Sequence, residues 1–262
     1  MKDNARLTQA RAAKKDEFYT QLTDIEKELC HYKSHFRDKT VLCNCDDPYE
    51  SNFFQYFIIN FNTLGLKKLI TTCYAHSPIA GKRLYISRDH KISIVGSESE
   101  QAPYKAIVTS ARDVTGNGGI TQDDYKKLFQ IGENKIELLE GDGDFRSQEC
   151  EALLDEADIV VTNPPFSCWR EYVDMLVKHD KKFVIWGNNN ALTYKEIFPL
   201  IKDNKMWLGY TANKTCIFRL PDTYEKYDKK LTDEYNDGNK YGKVPAISVF
   251  TNLDIKKRHE DL

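Results

Sequence analysis

The sequence predicts an α/β fold: a central, mostly parallel sheet with helices on both faces, plus a small antiparallel insertion. Three observations predict it. Short apolar runs alternate with helical stretches from residue 40 onward, as in a sheet built from βαβ units. The run at 158–162 places Ile159, Val160 and Val161 in succession, as expected of a strand buried on both faces. A chain of 262 residues with 40% hydrophobic content is long enough to close one substantial core.

Residues 1–15 are polar and basic and read as an arm or frayed helix. Over 24–36 the residues Ile25, Leu29, Tyr32 and Phe36 recur at three- and four-residue steps, so they share one helical face. Residues 1–38 together form an arm and helix ahead of the sheet. Strands are expected at 40–44, 68–73, 135–140, 158–162 and 182–187. Helices are expected at 51–62, where Ser51 is a capping residue, and at 148–156, 169–179 and 194–203. Residues 205–210 and 246–251 are further strand candidates. Two regions break the rhythm. The segment 76–120 carries KRLYIS, KISIVG and YKAIVTS and reads as an inserted antiparallel element ending in TGNGG. Residues 221–244, rich in Tyr, Asp, Lys and Gly, read as a long exposed loop. The whole is expected to be a single domain over 1–262.

The charge balance excludes a uniformly basic nucleic-acid binder. Forty acidic residues against 38 basic ones leave a formal net charge of -2, so any nucleic-acid contact must be a local patch. Seven scattered cysteines read as reduced thiols of a cytoplasmic protein rather than a disulfide framework. The start has no apolar run of signal-peptide type, and nowhere do about 18 apolar residues follow one another. The expectation is a protein with no membrane contact.

The strongest chemical signal is DIVVTNPPF at 158–166. A rigid polar turn directly follows a buried strand, at the end where open α/β sheets place their sites. Two prolines remove two N–H donors and fix φ, leaving carbonyls free to accept from a ligand. An aromatic amine such as adenine N6 offers two hydrogens. Accepting one on the Asn163 side-chain oxygen and one on the Pro164 carbonyl favours a pyramidal nitrogen whose lone pair can attack. Pro165 stiffens the turn, and Phe166 supplies a face for a base extruded from the duplex. The plain alternative is a turn that merely ends a strand.

With these residues in place, the chain resembles the EcoRI-type adenine-specific DNA methyltransferases. The matching stretches are DEFYTQ at 16–21, NCDDPYESNFFQYF at 44–57, GLKKLITTCY at 65–74, GDGDFRS at 141–147, ADIVVTNPPFS at 157–167, HDKKF at 179–183 and TNLD at 251–254. The resemblance implies a Rossmann-like class I methyltransferase fold, S-adenosyl-L-methionine as donor, and adenine in double-stranded DNA as acceptor. It implies that Phe18, Tyr19 and Thr20 close over the methionine end of the donor, with Thr20 offering its hydroxyl to the carboxylate. Asn44, Asp46, Asp47 and Pro48 stand where other methyltransferases carry a glycine-rich loop, so side chains must do more of the binding here. Asp142, Asp144 and Phe145 follow the third strand of the family pattern, where an acid can accept from the donor's adenine amino group and Phe145 pack on its ring. Asn163 also borders the donor. The reaction needs no metal, because a sulfonium is already a good leaving group. The acid usual for ribose recognition is absent from Thr72, Cys73 and Tyr74.

For DNA contact the basic candidates are Lys14, Lys15, Arg83, Arg88, Arg112 and Arg170, with Lys82, Lys91 and the cluster Lys256, Lys257 and Arg258 alongside. A solvated face is the plain alternative for each. Members of the family run on past the segment matched by 252–262. The shorter chain is read as a compact phage or orphan enzyme, as one that recruits a partner for specificity, or as a trimmed one. A cognate restriction endonuclease is a further partner to expect. Two other readings stay open: an N-methyltransferase acting on RNA adenine or a protein amide, and a silent DNA-binding or decoy module of the same fold.

Overall fold

The computed structural model describes residues 18–44, 51–74, 85–86, 92–93, 103–116, 118–120, 124, 127–129, 134–220 and 224–260. The arm with Lys14 and Lys15, the segment with Asp46, Asp47 and Pro48, and the stretch with Arg83 and Arg88 lie outside them.

Four parallel strands make the centre. β2 (Thr40–Cys43) pairs with β3 (Lys68–Thr72) on one side and β8 (Ile159–Thr162) on the other, and β8 pairs with β9 (Lys182–Asn188). Their side chains alternate between two apolar cores. Val41, Leu69, Val161, Val184 and Trp186 enter one core, closed by helices α1 (Leu22–Leu29) and α2 (Asn52–Ile59). Leu42, Ile70, Val160, Phe183 and Ile185 enter the other, closed by α4 (Gln148–Glu156) and α5 (Trp169–Lys178). A short helix, α3 (Phe61–Leu64), ends at Gly65 with φ 63, a left-handed turn that lets the chain double back into β3.

The sheet is mixed rather than mostly parallel. Outside the four central strands every pairing is antiparallel. β6 (Tyr104–Val108) pairs with β3 and then with β7 (Lys135–Leu138). On the opposite side β12 (Lys240–Thr251) pairs with β9, and β11 (Lys214–Leu220) pairs with β12. Two short strands complete it: β1 (Tyr19–Thr20) along β11, and β10 (Trp207–Leu208) along β12. An apolar run specifies burial but not direction, which is why the sequence pattern left this open.

Three expected elements take other forms. The YKAIV run of the expected insertion is β6, a strand of the main sheet, and only β4 (Tyr85–Ile86) and β5 (Ile92–Ser93) form a separate hairpin. The stretch read as an exposed loop holds helix α6 (Lys229–Tyr235), capped by Asp228, and the start of β12. The helix expected over 24–36 divides into α1 and a 3-10 turn at Lys33–Phe36.

β11 and β12 also run on past the carboxyl end of β9. Asn188, the last residue of β9, pairs with Ile247, whereas Leu220 pairs with Lys240. At about 3.3 Å per residue, the ribbon projects on the order of 20 Å beyond that end. A bulge between Lys214 and Cys216, with Ala246 at φ 58, redirects it. β1 pairs with this projecting part, opposite Phe218 and Arg219.

Candidate active site

Every parallel strand ends on the same side of the sheet, and the NPPF turn leaves β8 there. Asn44 follows β2, and its carbonyl accepts from the Thr162 hydroxyl at 2.5 Å. Its side-chain oxygen accepts from the Tyr172 hydroxyl on α5. That pair of bonds locks the ends of β2 and β8 together and commits the Asn44 oxygen to the protein. Asp158, the acid that opens the motif, lies at the far end of the strand, where its carboxylate accepts from Thr40 N at 2.8 Å. Its role is to fasten the strand, not to take part in chemistry.

Asn163 is held by one half of its amide. Its Nδ2 donates to the Phe18 carbonyl at 2.8 Å, while Oδ1 is buried with no hydrogen-bond partner. A buried acceptor left empty costs roughly 1–3 kcal/mol, so the site keeps an oxygen ready for a donor that no described residue supplies. The Pro165 carbonyl accepts from Cys168 N at 3.0 Å as the chain turns into α5; no described residue donates to the Pro164 carbonyl. The Phe166 ring meets Phe18 edge-on, with centroids 6.0 Å apart.

The amino-terminal element reaches the same place. Phe18 also packs on Phe218 at 6.0 Å and Tyr224 at 5.6 Å, so the projecting ribbon holds it over the turn. Thr20 is buried, its carbonyl accepting from Asn52 Nδ2 at 2.8 Å and its hydroxyl unpartnered. Tyr19 is buried with Arg219 over its ring at 4.5 Å.

The GDGDF turn closes on the carboxyl end of β3. Gly143 has φ 75, and a Cβ there would stand 2.2 Å from the Cys73 carbonyl oxygen. Asp142 is exposed and its Oδ1 accepts from Asp144 N. Asp144 grips Arg146 with both oxygens, at 2.8 and 2.6 Å, and that pairing raises the affinity of the guanidinium for its proton. Phe145 is a core residue, its ring edge-on to Tyr172 at 5.2 Å and covered by Arg146, so it supports the turn. Gly143→Ala is expected to cost about 2–4 kcal/mol through the left-handed backbone and the clash with Cys73. Thermal unfolding of the variant checks it; an unchanged midpoint would show that the turn has room to yield.

Of the basic candidates, Arg170 is exposed at the start of α5, with its guanidinium 5.2 Å from the Tyr194 ring on the loop that follows β9. Arg112 follows β6, whose Val108 pairs with Leu69 near the amino end of β3, so it sits beyond the opposite end of the sheet. The 256–258 cluster is tied down at that end too: Arg258 stacks on Trp207 at 3.8 Å and Lys257 donates to the Gly209 carbonyl at 2.8 Å.

The sequence gives no sign of three further groups. Trp186 is fully buried with its indole N–H unpartnered, and the hydroxyls of Thr71 and Thr72 are buried without partners at the end of β3. A tryptophan directly before Gly187, late in an apolar strand, is the one hint at the first.

The family model described as adenine-specific methyltransferase EcoRI matches residues 6–262. The chain is 44% identical over 260 residues to the Type II methyltransferase M.EcoRI of Escherichia coli, covering 99% of this chain and 72% of that protein. It is 36% identical to M.MgeORF184P of Mycoplasma genitalium and 35% identical to M.MpnI of Mycoplasma pneumoniae, both Type II methyltransferases. In each of those two the match covers 93% of this chain and 63% of the relative, so the chain spans less than two thirds of the mycoplasmal proteins. No solved structure matches it.

Proposed function

The chain belongs to the adenine-specific methyltransferase EcoRI family, and from that premise we infer that it methylates the N6 amino group of an adenine flipped out of double-stranded DNA, with S-adenosyl-L-methionine as donor. The observation that carries the inference is the empty Asn163 Oδ1, beside a Pro164 carbonyl to which no described residue donates. Two acceptors on a stiff turn draw on both amino hydrogens and bias the nitrogen toward a tetrahedral shape. The Phe18 carbonyl fixes which half of the Asn163 amide faces the base, and Phe166 offers a ring for stacking. The carboxyl ends of β3, β2, β8 and β9, with helices on both faces, support a Rossmann-like reading of the central strands.

The residues present fit the donor. Thr20 keeps a buried hydroxyl unpaired, and Gly143 lets the 141–145 turn approach the end of β3 closely. Bound there, the donor supplies an electrophilic methyl group on a sulfonium. Thr20 would hold its carboxylate, Asp142 its adenine amino group, and the Thr72 hydroxyl its ribose, where the sequence lacks the usual acid. Asn44 acts through the strand ends it locks, and Asp144 and Phe145 by shaping the turn. Asp46, Asp47 and Pro48 remain assigned to donor binding on the resemblance. Arg170 is placed for a DNA phosphate at the rim of the site; Lys14, Lys15, Arg83 and Arg88 keep the same role on sequence grounds, and Arg112 loses it on position.

Thr20→Val tests the donor site with two opposed readouts. Replacing an unpaired hydroxyl by a methyl group of the same shape should leave stability unchanged or raise it by up to about 1 kcal/mol. Donor affinity should fall roughly tenfold, the loss of one hydrogen bond to a charged group. Calorimetric titration checks it, and wild-type affinity would remove Thr20 from the site.

Among the described residues no helix is long and apolar enough to cross a membrane. The Type II relatives suggest a cytoplasmic modification enzyme, partnered with an endonuclease that reads the same site. The deciding assay incubates the protein with labelled donor and duplex DNA, RNA or protein, then sequences the DNA for modified adenines. Label in N6-methyladenine of duplex DNA is expected. Label confined to RNA or protein, or none despite donor binding, would overturn the proposal.

A further inference from the structure

Trp186 is 0% exposed, yet its indole Nε1 has no hydrogen-bond partner. Trp169 and Trp207 show how the fold treats the same group elsewhere, each donating its Nε1–H to a backbone carbonyl, of Trp186 at 2.9 Å and Leu253 at 3.0 Å. Buried indole N–H groups usually find an acceptor, so the exception needs a cause.

Its position supplies one. Thr162 pairs with Ile185, so the next step of the parallel register sets Asn163 beside Trp186. Period-two alternation keeps Asn163 on the face of Val161, which shares its apolar core with Trp186. The Phe18 whose carbonyl holds Asn163 Nδ2 packs against that same core. Phe53 closes the other side of the indole, centroids 5.0 Å apart, and its neighbour Asn52 ties α2 to Thr20. An unpaired N–H donor and an unpaired carbonyl acceptor thus belong to neighbouring positions of adjacent strands, on one face of the sheet.

We infer that Trp186 is a specificity-determining residue, its Nε1–H donating to the ring nitrogen N1 of the target adenine while Asn163 Oδ1 accepts from the N6 amino group. The inference rests on the proposed adenine methylation and deepens it. Adenine presents a donor, the amino group, beside an acceptor, N1. Guanine presents the reverse, an O6 acceptor beside an N1–H donor, and would set acceptor against acceptor and donor against donor. A flipped base read on its Watson–Crick edge is selected in this way, and leaving the site's own polar groups unpaired is what rejects the wrong one. Both atoms are covered in the free protein, so base entry must uncover them.

The test uses the full chain and a duplex carrying its mapped site, with adenine, 1-deazaadenine or 7-deazaadenine as target. Wild-type kcat/KM is expected to fall roughly 10- to 100-fold on 1-deazaadenine, the loss of one buried hydrogen bond, and to hold on 7-deazaadenine. Trp186→Phe, which keeps a ring but deletes the N–H, should show a similar loss on adenine and no added loss on 1-deazaadenine, with donor affinity unchanged. Because that variant shortens a core side chain, a second one carries benzothienylalanine at position 186 alone, which keeps the bicycle and exchanges only N–H for sulfur. Wild-type indifference to 1-deazaadenine, or losses that multiply between variant and analogue, would overturn the assignment. Failure of the wild type on the unmodified duplex is a separate result, which sinks adenine methylation itself and this inference with it.

Discussion

Asn163→Ala is expected to end methyl transfer, leaving any residual kcat at least about 10² to 10³ below wild type while donor affinity stays within a few-fold. The substitution removes Oδ1, the buried acceptor that no described residue satisfies, and Nδ2, the donor to Phe18. The two losses act in opposite directions on stability. Removing an unsatisfied oxygen is favourable and removing a 2.8 Å hydrogen bond is unfavourable, so the unfolding free energy should move by no more than about 1 kcal/mol. A catalytic deficit without a stability deficit is the signature of a group kept for the acceptor. Single-turnover methylation beside thermal unfolding measures both, and wild-type turnover in the variant would refute the role given to Asn163.

The largest stability effect is expected at Glu28. Its carboxylate is fully buried and accepts from the Tyr32 hydroxyl at 2.7 Å, Tyr210 N at 2.9 Å and Thr211 N at 2.6 Å. Gly209 makes room for it, since a Cβ at that position would lie 2.2 Å from Oε1. The carboxylate clasps α1 to the segment between β10 and β11, and burial together with the Glu28 charge pushes the Tyr32 phenol up, so it stays a donor. Glu28→Ala strands three buried donors at once and should cost about 3–5 kcal/mol. Glu28→Gln, which keeps one oxygen, should cost less. Urea unfolding should show a lower midpoint with an unchanged m value. A loss below about 1 kcal/mol would mean that water reaches the donors.

The turn proposed to carry the chemistry was legible without coordinates. NPPF after a β-branched run marks a rigid turn at a strand end, and the structure places it there. The faces of β2, β8 and β9 were legible as well, because buried runs have to be apolar on both sides. Donor-site acids were less so. Asp144 carries the right charge in the right turn, yet Arg146, two residues on, takes both its oxygens, and composition alone cannot tell a ligand from an ion pair. Arg112 looked like Arg170, and only strand direction sends one away from the site and leaves the other at its rim.

By itself the sequence determined which segments are buried and where the rigid NPPF turn lies, since these depend on residue type and local spacing. Tertiary structure alone decided that β6 and β12 run antiparallel to the strands they join. It also decided that β11 and β12 arch past the sheet, and that Phe18 meets Asn163 across a separation of 145 residues. That last contact fixes which half of the Asn163 amide is taken, and the register of β8 on β9 fixes which residue lies alongside. Hydrogen-bond partners are chosen by proximity in space, and an alternating pattern records only which face a side chain takes, not what it will find there.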